Sequence, residues 1–294
     1  MSSKLSDFLS SFGMMLAGVL LLFFSTVYFS PEHNFSFLKF PVSGNRTQVG
    51  GDVYPENLPV SKPTVPLFNI GASNFSGALT AISAVVVDSK TKTVLFSKNA
   101  DEIRSLASIT KLMTAMVLLD LPIDWNSVVV ISDEDMAGDH HVEIGEKFTL
   151  EDLWHVALIG SSNTAINALV RSSGLTKEQF VVLMNQKAKD LRISSARFVE
   201  PTGLSERNMA SGLDTARLLI DALKFDKIYS TVQIAEYYSH PFGGKAKRVW
   251  TTNWLLTDWV PNKFKMENIA GKTGYIDSSG YNFAVSLSNE KKHV

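Results

Sequence analysis

The 294-residue sequence predicts an α/β fold in which one antiparallel sheet is flanked by helices. Two strand signals bracket the foldable part. Residues 81–88 and 93–98 are β-rich runs joined by the polar turn Ser89-Lys90-Thr91-Lys92, which predicts a hairpin. Near the other end Tyr281, Phe283, Val285 and Leu287 alternate with Asn282, Ala284, Ser286 and Ser288, which predicts a strand with one apolar face. Segments with helix-start and helix-stop chemistry lie between them, so strands at both ends with helices between argue for a sheet covered by helices.

The elements follow in chain order. Between Asp7 and Glu32 there are 24 residues without a charge, and as a helix they would rise about 36 Å, enough for a hydrocarbon core of about 30 Å. The segment leaving this run, Thr26-Val27-Tyr28-Phe29-Ser30, is too bulky for a signal-peptide cleavage site, so residues 8–31 read as an uncleaved transmembrane signal anchor. Six of the ten prolines fall between Ser30 and Gly77, and residues 32–77 read as a flexible, extended linker. After the hairpin, residues 112–119 are almost wholly apolar and predict a helix buried on all sides. Thr149 is placed to cap a helix over 150–159. The next helix starts near Thr164 and stops before Gly174. Thr176 and Gln179 form a capping box for another, running through Leu191.

Composition removes several classes of function. With 28 basic and 29 acidic side chains and 45% hydrophobic residues, the chain is neither a polybasic nucleic-acid binder nor an acidic disordered protein. It has no cysteine, which excludes disulfides, thiol catalysis and cysteine metal sites. Its six histidines include no His-Glu-x-x-His spacing, so no metal site is expected, and His140 and His141 read as loop residues.

Three short patterns carry the chemistry: Ser108-Ile109-Thr110-Lys111, Ser161-Ser162-Asn163 and Lys272-Thr273-Gly274. Each is weak alone. Ser-x-x-Lys recurs at Ser36/Lys39, Ser89/Lys92 and Ser288/Lys291, in the linker, the hairpin turn and the chain end. Only Ser108 opens an apolar helix, where a residue three positions on shares its face. A serine hydroxyl attacks a carbonyl only when a neighbour takes its proton, and a lysine does so only when neutral. Burial of Lys111, with a second cation such as Lys272 nearby, shifts its pKa in the required direction. Ser161 is then positioned to relay a proton to a leaving amine, Asn163 to hold a substrate amide, and Lys272 and Thr273 to meet a substrate carboxylate.

With these motifs the chain resembles the D-alanyl-D-alanine carboxypeptidases among the low-molecular-mass penicillin-binding proteins, over residues 78–294. Further points of likeness are the hairpin before Ser108, Glu200-Pro201-Thr202-Gly203-Leu204, Asn253 with Leu255 and Leu256, and Gly271-Lys272-Thr273-Gly274-Tyr275. The resemblance implies a β-lactamase/transpeptidase-like fold, with Ser108 acylated, Lys111 as its base and Ser161 as a catalytic partner. It further implies Asn163, Lys272, Thr273 and Gly274 as substrate-binding residues, and the backbone amides of Ser108 and Tyr275 as the oxyanion hole. The implied substrate is a peptidoglycan stem peptide ending in D-Ala-D-Ala, the implied covalent inhibitors are β-lactams, and no cofactor is needed. The catalytic domain would then face outward from the cell membrane, with residues 1–7 cytoplasmic. Ser162 stands where relatives often have Gly, and Thr164 where an acidic residue is common. Relatives also continue beyond the last strand with another strand and a helix, so a C-terminally incomplete domain with an unpaired sheet edge is expected.

Three other functions share parts of this pattern. A class A β-lactamase needs a carboxylate to activate the deacylating water, and its Glu-x-x-x-Asn segment is not evident, because Leu204 stands where Asn should follow Glu200. A D,D-endopeptidase uses the same residues as the carboxypeptidase. A membrane-anchored penicillin-binding domain impaired in catalysis is the non-enzyme alternative.

Overall fold

The computed structural model describes residues 79–257, 259–261, 265–289 and 293–294. The expected cytoplasmic N-terminus, membrane anchor and linker lie outside them. Among the described residues no helix is long and apolar enough to cross a membrane.

In chain order the elements are β1 (Ala84–Val87), β2 (Val94–Lys98), β3 (Ile103–Ser105), a 3-10 turn (Ala107–Ile109), α1 (Thr110–Asp120), β4 (Val128–Val130), β5 (Lys147–Thr149), α2 (Leu150–Ile159), α3 (Asn163–Ser172) and α4 (Lys177–Asp190). There follow β6 (Met209–Ser211), α5 (Gly212–Ala222), α6 (Asp226–Thr231), β7 (Glu236–Ser239), β8 (Lys247–Trp250), a second 3-10 turn (Trp254–Leu256), β9 (Asn268–Ile276) and β10 (Gly280–Ser288).

Local chemistry explains the boundaries. In the β1–β2 turn the Asp88 carboxylate accepts from the amides of Lys90 and Thr91, at 3.0 and 2.7 Å. Thr149 Oγ1 accepts from the Asp152 amide and starts α2, and Thr176 and Gln179 close the expected box at the head of α4. Helix α1 is buried from Thr110 to Leu118, as its all-round apolar surface requires, and packs against α4, α5 and α3. Trp154 of α2 is buried too, and its indole N–H donates to Thr231 Oγ1 at 2.8 Å.

The strands depart from the expected single sheet. Among the described residues they form five two-stranded antiparallel ladders: β1 with β2, β3 with β6, β4 with β5, β7 with β8, and β9 with β10. The break falls between β1 and β10, which line an open groove of about 640 Å³. Residues 293–294 lie against β10. Val294 exchanges both backbone bonds with Leu287, and the Ser89 amide donates to the His293 carbonyl. The last strand also buries the face opposite to the one expected. Ala284 is buried, whereas Tyr281 and Phe283 are 91% and 48% exposed. Its alternation is that of a strand, but the small side chain faces the packed interior and the aromatic side borders the groove.

Candidate active site

Ser108 sits in the 3-10 turn that leads into α1, and its approach is strained. Ala107 has φ +46°, a left-handed conformation costing a residue with a Cβ about 1–2 kcal/mol. Two glycines let neighbouring backbone close over this turn. A Cβ on Gly203, whose φ is +93°, would stand 2.0 Å from the Ala107 carbonyl oxygen, and one on Gly274 of β9 would stand 2.8 Å from the Ser108 nitrogen. Strain of this kind persists only where the surroundings over-determine it.

Lys111 lies one helical step on, on the same face and fully buried. Its Nζ donates to Ser108 Oγ at 2.8 Å, Asn163 Oδ1 at 2.6 Å and the Thr202 carbonyl at 2.7 Å. Burial lowers its pKa to about 7, against the opposing pull of the Glu200 and Asp139 charges. The neutral amine is therefore accessible near neutral pH. Lys272 of β9 is also buried, and its Nζ donates to Ser161 Oγ at 2.8 Å and the Thr273 carbonyl at 3.0 Å. Burial first, then the positive charge of Lys111, pushes its pKa well below the usual lysine range.

Ser161 and Ser162 lie in the link between α2 and α3, and Asn163 is the first residue of α3. Ser161 takes φ +61°, which turns the chain so that Ser162 caps α3 through a bond from the Ala165 amide. Asp139, from a distant loop, holds the link in place. Its Oδ1 accepts from Ser162 Oγ, and its Oδ2 accepts from the amides of Asn163 and Thr164, all at 2.8 Å. Burial works to raise the Asp139 pKa, but these bonds hold it below the ordinary carboxylate value. The two departures from the family pattern are absorbed here: Ser162 is the cap, and Thr164 Oγ1 accepts from the Ala137 amide at 3.1 Å.

The loop supplying the Thr202 carbonyl is organised by Glu200. One of its oxygens accepts from Thr202 N and Oγ1, and the other from Gly203 N, Ser205 N and Asn208 Nδ2. On the opposite rim the Thr273 hydroxyl donates to the Thr252 hydroxyl, and the Thr252 amide donates to the Ile159 carbonyl at the end of α2. Tyr275 follows Gly274 at this rim, with its phenol exposed and bonded to Asp277.

The structure thus joins Ser108, Lys111 and Asn163 by direct bonds, pairs Ser161 with Lys272, and lays Gly274 against the Ser108 amide. Thr273 is bonded to Thr252 instead of to any of these. Four participants escaped the motifs: Asp139, the Thr202 carbonyl, Glu200 as the organiser of its loop, and Thr252. Glu200 and Thr202 fall in a segment noted for its likeness to relatives, which gave a usable signal. Asp139 lies in a loop without periodicity and gave none. Among the described residues no group of three His, Cys, Asp or Glu side chains could hold a metal ion.

Such an arrangement can pass a proton from a hydroxyl to a buried amine. Comparison with known proteins agrees. The sequence pattern of the D-alanyl-D-alanine carboxypeptidase family, peptidase family S11, matches residues 71–294. The chain is 34% identical over 206 residues to a D-alanyl-D-alanine endopeptidase of Pseudomonas aeruginosa, covering 68% of this chain and 64% of that one. It is 30% identical over 211 residues to the D-alanyl-D-alanine carboxypeptidase DacF of Bacillus subtilis, covering 68% and 52%. The chain therefore spans less than two thirds of the length of either relative. The solved Streptomyces K15 DD-transpeptidase superimposes with a TM-score of 0.66 at 23% identity, covering 74% of this chain and 88% of that one, which shows the shared penicillin-binding, transpeptidase-like α/β fold. The match over residues 71–294 establishes that this chain belongs to the D-alanyl-D-alanine carboxypeptidase family.

Proposed function

We propose that the chain is a serine D,D-peptidase that cleaves the D-Ala-D-Ala end of peptidoglycan stem peptides through an acyl-enzyme on Ser108. The observation that carries this is the 2.8 Å bond between Lys111 Nζ and Ser108 Oγ, made by an amine whose pKa burial has lowered to about 7. Neutral Lys111 takes the hydroxyl proton as Oγ attacks the carbonyl carbon of the penultimate D-alanine. The negative charge on the carbonyl oxygen is held by the amides of Ser108 and Tyr275. When the C–N bond breaks, Ser161 hands a proton to the departing amine and is resupplied from Lys272, its partner at 2.8 Å. Exchange with solvent takes the gained proton from Lys111 and restores the one Lys272 gave. Neutral Lys111 can then accept a proton from the water that attacks the ester and return it to Ser108 Oγ as the C–O bond breaks. Asn163 orients the substrate amide, and Thr273 with Thr252 receives the terminal carboxylate.

A carboxypeptidase is the first reading, and a D,D-endopeptidase the second. The second is favoured by the name of the relative at 34% identity, since the two reactions differ only in the amine that leaves. The β-lactamase alternative is disfavoured by Glu200: both its oxygens are engaged by backbone and side-chain donors, so none is free to activate water. β-Lactams, which present a strained amide to the same serine, would be covalent inhibitors. An outward-facing domain anchored by residues 8–31 follows from where the substrate lies, and protease added outside intact cells should digest it. Fluorescent penicillin should label the wild-type chain and not Ser108→Ala, and an unlabelled but folded wild type defeats the proposal. Release of D-alanine from a pentapeptide, with a cross-linked dimer left intact, selects the carboxypeptidase.

A further inference from the structure

Strands β7 and β8 form a ribbon in which Glu236 faces Trp250 and Tyr238 faces Arg248 across the ladder. The pleat sends Val249 and Ser239 into the protein and leaves Tyr238, Arg248 and Trp250 outside. The chain then delivers two more indoles to this surface. Trp259 lies near-parallel to Trp250, with centroids 6.3 Å apart, and edge-on to Trp254 at 5.8 Å. Trp250, Trp254 and Trp259 are 44%, 58% and 67% exposed, although large aromatic side chains usually bury most of their surface. Polar groups frame the rings: Arg248 stacks on Trp250 with its Cζ 3.9 Å from the ring centroid, and it bonds Glu236 at 2.8 Å.

We propose that this surface is a saccharide platform, which holds the glycan strand from which the stem peptide branches. The choice of glycan rests on the function proposed above. The chemistry of the surface supports it independently. A pyranose ring presents a face of C–H bonds to the negative face of an indole, and a rim of hydroxyls to planar donors and acceptors such as guanidinium and carboxylate. An anionic membrane surface fits less well, because Arg248, the cation stacked on Trp250, is already paired with Glu236 and so attracts lipid headgroups weakly. The platform is also continuous with the candidate active site. Trp250 and Trp254 each lie two residues from Thr252, at most about 7 Å along the chain, and Thr252 is the residue bonded to Thr273.

The test uses the full chain carrying Ser108→Ala, so that binding is measured without turnover and whether or not the acyl-enzyme chemistry is correct. The probe is peptide-free glycan, made of alternating N-acetylglucosamine and N-acetylmuramic acid units. The parent should bind it with a change in indole fluorescence. Trp254→Ala with Trp259→Ala should bind at least tenfold more weakly with an unchanged melting curve, and Trp254→Phe should retain intermediate affinity. The proposal is overturned if the parent does not bind the glycan, if the double variant binds equally well, or if phosphatidylglycerol vesicles are bound in preference to glycan. Failure of penicillin to label the wild type would instead defeat the function proposed above and leave the glycan result standing.

Discussion

Three donors' worth of hydrogen bonding is spent on one amine. Lys111 Nζ meets Ser108 Oγ, Asn163 Oδ1 and the Thr202 carbonyl, so the ammonium is fully paired, and the neutral amine can keep its two N–H groups on Asn163 and Thr202 while its lone pair faces the Ser108 hydroxyl. Because only the neutral form accepts a proton, acylation by penicillin should rise with pH through an apparent midpoint near 7, the value to which burial brings this group. The positive charge of Lys111 adds to burial in lowering the pKa of Lys272. Stopped-flow acylation rates between pH 5.5 and 8.5 measure it, and a flat profile would remove Lys111 from the role of base. Lys111→Ala should lower the acylation rate by about 10²–10⁴, the usual worth of a general base, with circular dichroism confirming a folded chain. Ser108, Lys111 and Asn163 were legible in sequence because a three-residue spacing at a helix start and a polar link between helices constrain where side chains go. The Thr202 carbonyl was not legible as a partner, because every residue has a carbonyl and only the tertiary fold selects one.

At the scale of elements, two glycines let separate backbones crowd the Ser108 turn. Gly203→Ala would place a Cβ 2.0 Å from the Ala107 carbonyl at a φ of +93°, combining backbone strain with a clash. Gly138→Ala is the matched control, for its φ is +79° with no atom within 4 Å of the new Cβ. Gly203→Ala should cost about 1–3 kcal/mol more than the control, a melting temperature lower by about 2–4 °C per kcal/mol in a domain of this size. It should also slow acylation by about 10², since displacing the turn by an ångström misaligns Ser108. Equal melting temperatures for the two variants would show that the Gly203 contact does not hold the turn. Asp139→Ala removes the acceptor of two amides at the head of α3 and of the Ser162 hydroxyl. It should cost about 0.5–2 kcal/mol in thermal melts, the range of a lost cap, and lower the acylation rate through Asn163. Helix starts were readable here because caps are local: Thr149 and Thr176 each act within three residues. The β7–β8 ribbon was not, since Glu-Tyr-Tyr-Ser and Lys-Arg-Val-Trp are too short to establish a period.

Across the whole molecule the α/β character was readable from strand signals at the two ends, whereas the continuity of the sheet was not. Alternation identifies a strand and says nothing about what lies beside it, and here β1 and β10 face each other across a groove. The same limit explains the inverted face of β10, where Ala284 is inward and Tyr281 outward. Charge, by contrast, sets a global property that separates stability from activity. Asp135, Asp139 and Asp214 anchor three different regions. Burial would raise each pKa, but hydrogen bonds from Arg171, Thr164 and Ser195 respectively hold all three below the ordinary value. A carboxylate whose folded pKa is depressed stabilises the fold above its unfolded pKa of about 3.9, and that contribution disappears as pH falls through the folded value. Lys111 behaves differently. Its folded pKa lies below its unfolded one, so its effect on stability changes between about pH 7 and the unfolded value of about 10.4, and is constant in more acidic solution. At pH 5 roughly one Lys111 in a hundred is neutral, two units below its pKa, while the three aspartates are still ionised. The chain should therefore be folded and nearly inert at pH 5, with acylation slowed about a hundredfold from its neutral-pH plateau. Its melting temperature should stay nearly level from pH 6 to pH 5 and fall steeply only below about pH 4. Melting curves by near-ultraviolet circular dichroism, run beside acylation rates in the same buffers, distinguish the two transitions. A melting temperature that fell in step with acylation between pH 7 and pH 5 would mean that the loss of activity is unfolding and not protonation of Lys111.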